Sequence, residues 1–132
     1  MTAAEPRILA EISPGELIDK ITILEIKRER LADAAKLANV RYALEQLNGT
    51  RTALDGKAAL APLEAELKAV NARLWEIEDE IRDCERNADF GPAFVALARS
   101  VYRQNDRRAE LKKAIDRLYG SAMTEEKSYR QY

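Results

Sequence analysis

The chain has 132 residues, of which 34% are charged and 6% aromatic, with five glycines, four prolines, one cysteine, no histidine and a formal net charge of −1. That is the length of one ordinary domain, and a composition rich in Ala, Leu, Glu, Lys and Arg favours helices over sheets. Without histidine there are no Ser–His or Cys–His nucleophile pairs, histidine zinc sites or Glu-x-x-His di-iron motifs, and a near-zero net charge draws the chain to neither nucleic acid nor anionic lipid.

The opening stretch "MTAAEPRILAEI" carries neither the basic start nor the apolar run of a signal peptide. No stretch approaches the roughly 18 to 20 uninterrupted apolar residues that span a bilayer, so no membrane span is expected. A single cysteine cannot form an intramolecular disulfide and suits a reducing compartment, which points to the cytoplasm. No Gly-rich phosphate loop is present, and no cofactor is expected. Carboxylate, lysine, tyrosine and arginine chemistry remains.

The first element is "ISPGELIDKITILEIKRER", Ile12 to Arg30. "KITILEIK" alternates like a strand, yet Ser13, Pro14 and Glu16 form a capping box with proline in the first helical position. On a 3.6-residue period Leu17, Ile21, Leu24, Arg28 and Leu31 share one stripe, and strong helix formers follow. The spacing predicts a helix from Pro14 to about Ala35. Ile23 and Ile26 fall on its far side, near Asp19 and Arg30. A helix apolar on two faces is either central in its own bundle or one half of a homo-oligomer seam, and Asp19, Ile23, Ile26 and Arg30 are the candidate interface residues.

Around "KLANV" the phase slips to Leu37, Val40, Leu44 and Leu47, which predicts a kink capped by Asn39 and a second helix to about Leu47. Gly49, Gly56 and Pro62 mark a flexible loop over about 49–62. The third helix has the strongest pattern: Leu60, Leu63, Leu67, Val70, Leu74, Ile77, Ile81 and Cys84 alternate three and four apart, the spacing of a coiled-coil-like seam. "NADFGPAF" supplies a turn, with Asp89 or Gly91 as cap. A fourth helix repeats the seam at Leu97, Val101, Gln104, Arg108, Leu111, Ile115 and Leu118 and stops at Gly120. The tail 121–132 is expected to add at most one helical turn, capped by Ser121 or Thr124.

Residues 55–92 hold ten acids and five bases, and residues 93–132 hold nine bases and five acids. An acidic helix joined by a short turn to a basic one reads as an antiparallel hairpin with complementary flanks. Arg99, Arg103, Arg107 and Arg108 then find acidic neighbours in their own chain, and nucleic acid is not needed to explain them.

Two constellations carry chemical possibilities. In "WEIEDEIRDCE" the carboxylates of Glu76, Asp79 and Glu80 share a helix face suited to Mg²⁺, as in all-helical nucleotide pyrophosphohydrolases, but a second acidic pair is offered only by Glu25 and Glu29. A solvated face with Glu78–Arg82 and Asp79–Arg82 pairs is the plainer reading, so no metal site is assigned. The second set is Asn71, Trp75, Glu78 and Arg82 on the third helix, facing Arg99, Tyr102, Asn105 and Arg108 on the fourth, with Asn71 expected near Lys112. It is either a register-fixing polar network or the tentative site for an anionic or hydroxyl-rich ligand. Cys84 ends the apolar seam and reads as inert core.

The motifs "SPGELIDKITILEIK", "NARLWEIEDEIR", "FVALARSVYRQNDRRAELKKAI" and "GSAMTEEKSY", in that order, resemble a family of small bacterial proteins of unknown function. The resemblance implies a setting near surface-polysaccharide or lipopolysaccharide assembly genes. It singles out polar positions on otherwise apolar faces, among them Lys20, Lys27, Asp106, Lys112, Glu126, Lys127 and Tyr129. The sequence therefore predicts an all-α antiparallel helical bundle, one domain over 1–132, whose two long C-terminal helices form a coiled-coil-like hairpin. The expected role is a non-enzymatic interaction or assembly protein that forms a homodimer or binds a protein partner. The alternative is a ligand-binding or enzymatic bundle, including a Mg²⁺-dependent pyrophosphohydrolase.

Overall fold

The computed structural model describes residues 5–132; residues 1–4, the head of the stretch read for a signal peptide, lie outside the described residues. Four helices follow in order: α1 Pro14–Arg30, α2 Ala34–Arg51, α3 Leu60–Arg86 and α4 Pro92–Leu118. The described chain is all-α, as the periodicity predicts.

Helix α1 starts where the capping box places it. Ser13 is extended, and its Oγ accepts from the Glu16 N–H at 3.1 Å. The Glu16 carboxylate turns to Lys112 and Lys20. The predicted end is too late: α1 stops at Arg30, Leu31 is extended, and the Asp33 side chain caps α2 by accepting from the Lys36 N–H at 2.9 Å. Asn39 lies inside α2. An Asp that caps a new turn outweighs the good helix formers around it. Helix α2 also runs past Leu47, because Arg51 reaches across to α3 and binds Glu64 with two hydrogen bonds, 2.5 and 2.7 Å. The loop therefore shrinks to 52–59, and Pro62 sits in the first turn of α3, where a missing N–H costs nothing. Gly91 is the N-cap of α4 and Pro92 opens it. The tail 121–132 forms no helix.

Helix α1 is the centre of the bundle. It packs on α2, α3 and α4, while α3 and α4 form the most extensive pairing. Its buried face is Leu17, Ile18 and Ile21, which meet Leu44, Leu60, Leu67, Val70, Leu111 and Ile115. Ile26 is buried as well and Ile23 half-buried, so the second apolar face of α1 is largely consumed inside its own chain. Arg28 leaves the predicted stripe for solvent, and Ile18, absent from that stripe, is fully buried.

The expected charge pairing of α3 with α4 is sparse. Among the described residues one ion pair, Glu66 with Arg107, joins them. Other acids of α3 are met from elsewhere: Glu76 by Arg30 of α1 and Glu64 by Arg51 of α2. Arg99 and Arg103 carry no ion pair among the described residues.

The two long helices also outrun the core. Between Glu78 and Glu110 no residue is buried, and Ile81, Cys84, Leu97 and Val101 of the predicted seams stay half-exposed. At about 1.5 Å per residue, the 27-residue helices exceed the 17-residue α1 by about 15 Å. The hairpin beyond α1 is a bare two-helix arm.

Gly15 fixes how closely α1 approaches α4. A Cβ there would overlap the Lys112 carbonyl oxygen and lie 2.8 Å from Asp116 Oδ1. A backbone atom cannot swing aside, so Gly15→Ala is expected to lower stability by about 2 kcal/mol or more, despite a helix-propensity gain of at most about 1 kcal/mol. Urea unfolding followed by helical circular dichroism measures this, and an unchanged midpoint would show that the two helices are not held in that contact.

Candidate functional site

The polar residues of α1 converge with those of α3 and α4 on one buried carboxylate. Asp19 is 1% exposed. Arg108 Nε and Nη2 donate to its two oxygens at 2.8 and 2.6 Å, a bidentate pairing. Asn71 Nδ2 donates to Asp19 Oδ1 at 2.9 Å and to Thr22 Oγ1 at 3.0 Å, and Thr22 Oγ1 donates to the Asp19 carbonyl at 2.8 Å. Burial pushes the Asp19 carboxyl up, but the hydrogen bonds from Arg108 and Asn71 and the charges of Arg108 and Lys112 outweigh it and hold the group below its ordinary value.

A second cluster lies one turn toward the start of α1. Lys112 Nζ, nearly buried, bridges Glu16 at 2.6 Å and Glu125 of the tail at 3.1 Å. Burial lowers its affinity for a proton, yet the two carboxylates raise the Lys112 value above normal. Glu16, which burial alone would raise, is lowered by Lys112 and Lys20. Asp116 is fully buried: Oδ1 accepts from the Gly15 N–H at 2.7 Å and Oδ2 from the Glu125 N–H at 3.0 Å. One carboxylate thus holds both the positive end of α1 and the tail. The tail continues along α4, with Lys127 paired to Asp106 and the Tyr132 ring 4.9 Å from that of Tyr102.

Five of the eight predicted ligand residues, Asn71, Trp75, Glu78, Arg82 and Arg108, share one groove, and Arg99, Tyr102 and Asn105 lie outside it. Asn71 meets Arg108 rather than Lys112, and both line a groove of about 350 Å³ with Ile23, Leu74, Trp75, Glu78, Asp79 and Arg82 at the foot of the arm. Asn105 lies in another groove, of about 480 Å³, between α4 and the tail. Tyr102 lines a third, wider cleft beside Tyr132. Arg99 lines none of the three. Glu78 pairs with Arg82 on the solvent side of α3 at 3.3 Å. Every buried side-chain N or O among the described residues has a partner.

Of the interface candidates, Asp19 lies in the buried network, Ile26 is buried, Arg30 pairs with Glu76 at 3.3 Å, and Ile23 opens onto the groove at the foot of the arm. Of the acids weighed for Mg²⁺, Glu29 pairs with Lys68, and Glu76 and Glu80 with Arg73. Among the described residues no group of three or more Asp, Glu or Cys side chains is placed to hold a metal ion. Cys84 is half-exposed, and desolvation with the nearby Asp89, Asp83 and Glu80 pushes its thiol up, against a reactive role.

Sequence reasoning missed Gly15 and Asp116. Both had signals. A glycine in the first turn of an otherwise strong helix marks a close approach, and Asp116 continues the i, i+4, i+8 row of Arg108 and Lys112.

Residues 8–132 match the model of the family of unknown function DUF6165. The chain belongs to this family. No curated protein and no solved structure matches it. No helix among the described residues of this DUF6165 chain is long and apolar enough to cross a membrane.

The buried pair sets a pH dependence. With folded values below ordinary, Asp19 and Glu16 contribute stability above the unfolded carboxylate range of about 4, and that contribution is lost as pH falls through the folded values. Lys112, raised, contributes below about 10.4 and loses its contribution as pH rises through its folded value. Asp19→Asn is expected to cost about 3 kcal/mol at pH 7 and to flatten the acid limb of stability. Asp19→Leu with Arg108→Met should cost less than either change alone. Urea titrations between pH 2.5 and 7 measure both, and an unaltered acid limb in Asp19→Asn would refute the assignment.

Proposed function

We propose that this DUF6165 protein is a non-enzymatic helical interaction or assembly protein, cytoplasmic and homodimeric, whose contact element is the bare arm of α3 and α4. The observation that carries the reading is the contrast between two halves of one hairpin. At the base, α1 covers the seam and the buried polar groups satisfy one another. Beyond it, the same seam continues half-exposed and ends in Phe90 and Val95, both more than half exposed. Unpartnered apolar surface on a projecting element is what an interaction module presents. The family resemblance supplies the setting, bacterial surface-polysaccharide biosynthesis, in which such a protein holds other components together.

Light scattering of the full chain at 10–100 micromolar, concentrations at which weak dimers form, tests the reading. A dimer of about 30 kDa, twice the 14.9 kDa chain, is expected. A clean monomer across that range overturns the homodimer.

A second reading, a small-ligand or enzymatic bundle, draws on the groove between α4 and the tail, where Asn105, Arg108, Lys112, Lys127, Ser128 and Tyr129 converge in a ligand-sized volume. Its cations are already engaged by Asp19, Glu16, Glu125 and Asp106, which weakens anion capture. Millimolar Mg²⁺, alone or with a nucleoside triphosphate, is expected to leave the melting temperature unchanged. A rise of several degrees would favour this second reading.

A further inference from the structure

We infer that two copies of the chain pair arm to arm, antiparallel about a two-fold axis, so that the Phe90–Phe94 tip of each fills the groove lined by Ile23, Leu74 and Trp75 at the foot of the other's arm. This rests on the homodimer reading and specifies its surface. The tip is a rigid apolar knob: the Phe90 and Phe94 rings stack edge to face with centroids 5.4 Å apart, and Phe90 is 53% exposed. The foot offers a hollow of about 350 Å³ whose apolar lining is Ile23, Leu74 and Trp75.

Three features select a second copy as the occupant, in the antiparallel sense. The first is steric. Helix α1 packs on both α3 and α4 at the base of the hairpin and leaves the arm beyond it uncovered, with Ile23 facing the step between them. An arm laid along that bare surface from the opposite direction stops with its tip at Ile23 on the flank of α1, whereas parallel arms would force two copies of α1 into the same layer.

The second feature is register. Helix α3 ends at Arg86 and Phe90 sits in the turn just past it, so two antiparallel arms that bring that turn over Trp75 centre the two copies of α3 near Ile81. The third feature is charge. In that register Arg82 of one copy falls within about one turn of Glu78, Asp79 and Glu80 of the other. Among the described residues Arg82 and Glu78 pair only with each other, at 3.3 Å, and are 73% and 65% exposed. They are free to exchange partners across the axis. A two-fold contact must be self-complementary, and one register meets the knob, the hollow and the charges together.

Cross-linking tests the geometry in a Cys84→Ser background. A mixture of Phe90→Cys and Trp75→Cys proteins, treated with a short bismaleimide, is expected to give a covalent heterodimer, while Phe90→Cys alone gives little cross-linked product. Dominant linkage of Phe90→Cys to itself overturns the antiparallel arrangement.

Phe90→Asp lies at an exposed turn and should keep full helicity while weakening the dimer at least tenfold by sedimentation equilibrium. Arg82→Glu should weaken it, and adding Glu78→Arg to that variant should restore it. If the full chain is a dimer and Phe90→Asp leaves it unaffected, this inference fails while the homodimer reading stands. If the unmodified chain is a monomer, both fail.

Discussion

A carboxylate taken out of water carries a desolvation cost of several kcal/mol, and it stays ionised only where the surroundings replace its hydration. At Asp19 the replacement comes from two other helices: Asn71 on α3, itself steadied by Thr22 of α1, and the bidentate Arg108 on α4. That requirement fixes α1 in rotation and in height. A slip by one turn would leave Arg108 and Asp19 both unpaired, so the network selects one register where the leucine and isoleucine stripes alone would accept several. Gly15 completes the constraint by letting α1 come close enough for its N–H to reach Asp116.

The position of α1 decides what remains uncovered. A 17-residue helix pinned at its N-terminal end to the C-terminal end of α4 reaches only part of the way along a 27-residue hairpin. The tail follows the same logic on the flank of α4. It is ordered by Asp116, Lys112 and Asp106, groups already positioned for or beside the α1 contact. Polar specification is concentrated at the base of the hairpin, and the arm is left with half-exposed apolar residues and exposed arginines.

Much of this was legible in the amino acids. Ser13, Pro14 and Glu16 announce the first helix correctly, and the three-four alternation from Leu60 to Cys84 gives α3 without a miss, because a long period averages over local exceptions. The errors lie where one side chain decides. Asp33 breaks a run of helix formers by capping, and Arg51 prolongs α2 through a partner thirteen residues away that no local pattern reveals. The candidate polar set shows a related limit. Asn71 and Arg108 meet through Asp19, which its spacing put beside the second apolar face of α1 as an interface candidate. Helical spacing shows which residues share a face. It does not show which neighbouring helix that face meets.

The distribution of unsatisfied groups then weighs on function. A catalytic or anion-binding bundle keeps some charged side chains uncompensated so that a ligand can complete them. Here Arg108, Lys112 and Lys127, the cations of the groove between α4 and the tail, each already hold a carboxylate, and the buried polar atoms of the described residues are all partnered. A ligand in that groove must therefore displace an ion pair for each of these cations it engages. At the arm the opposite holds: apolar surface at Phe90, Val95 and the half-exposed seam loses only water when covered, and Arg99 and Arg103 enter without breaking an existing ion pair. Of the two proposed readings, association of the arm with another polypeptide would thus face the smaller desolvation cost, while the network at the base fixes the register of the helices beneath it.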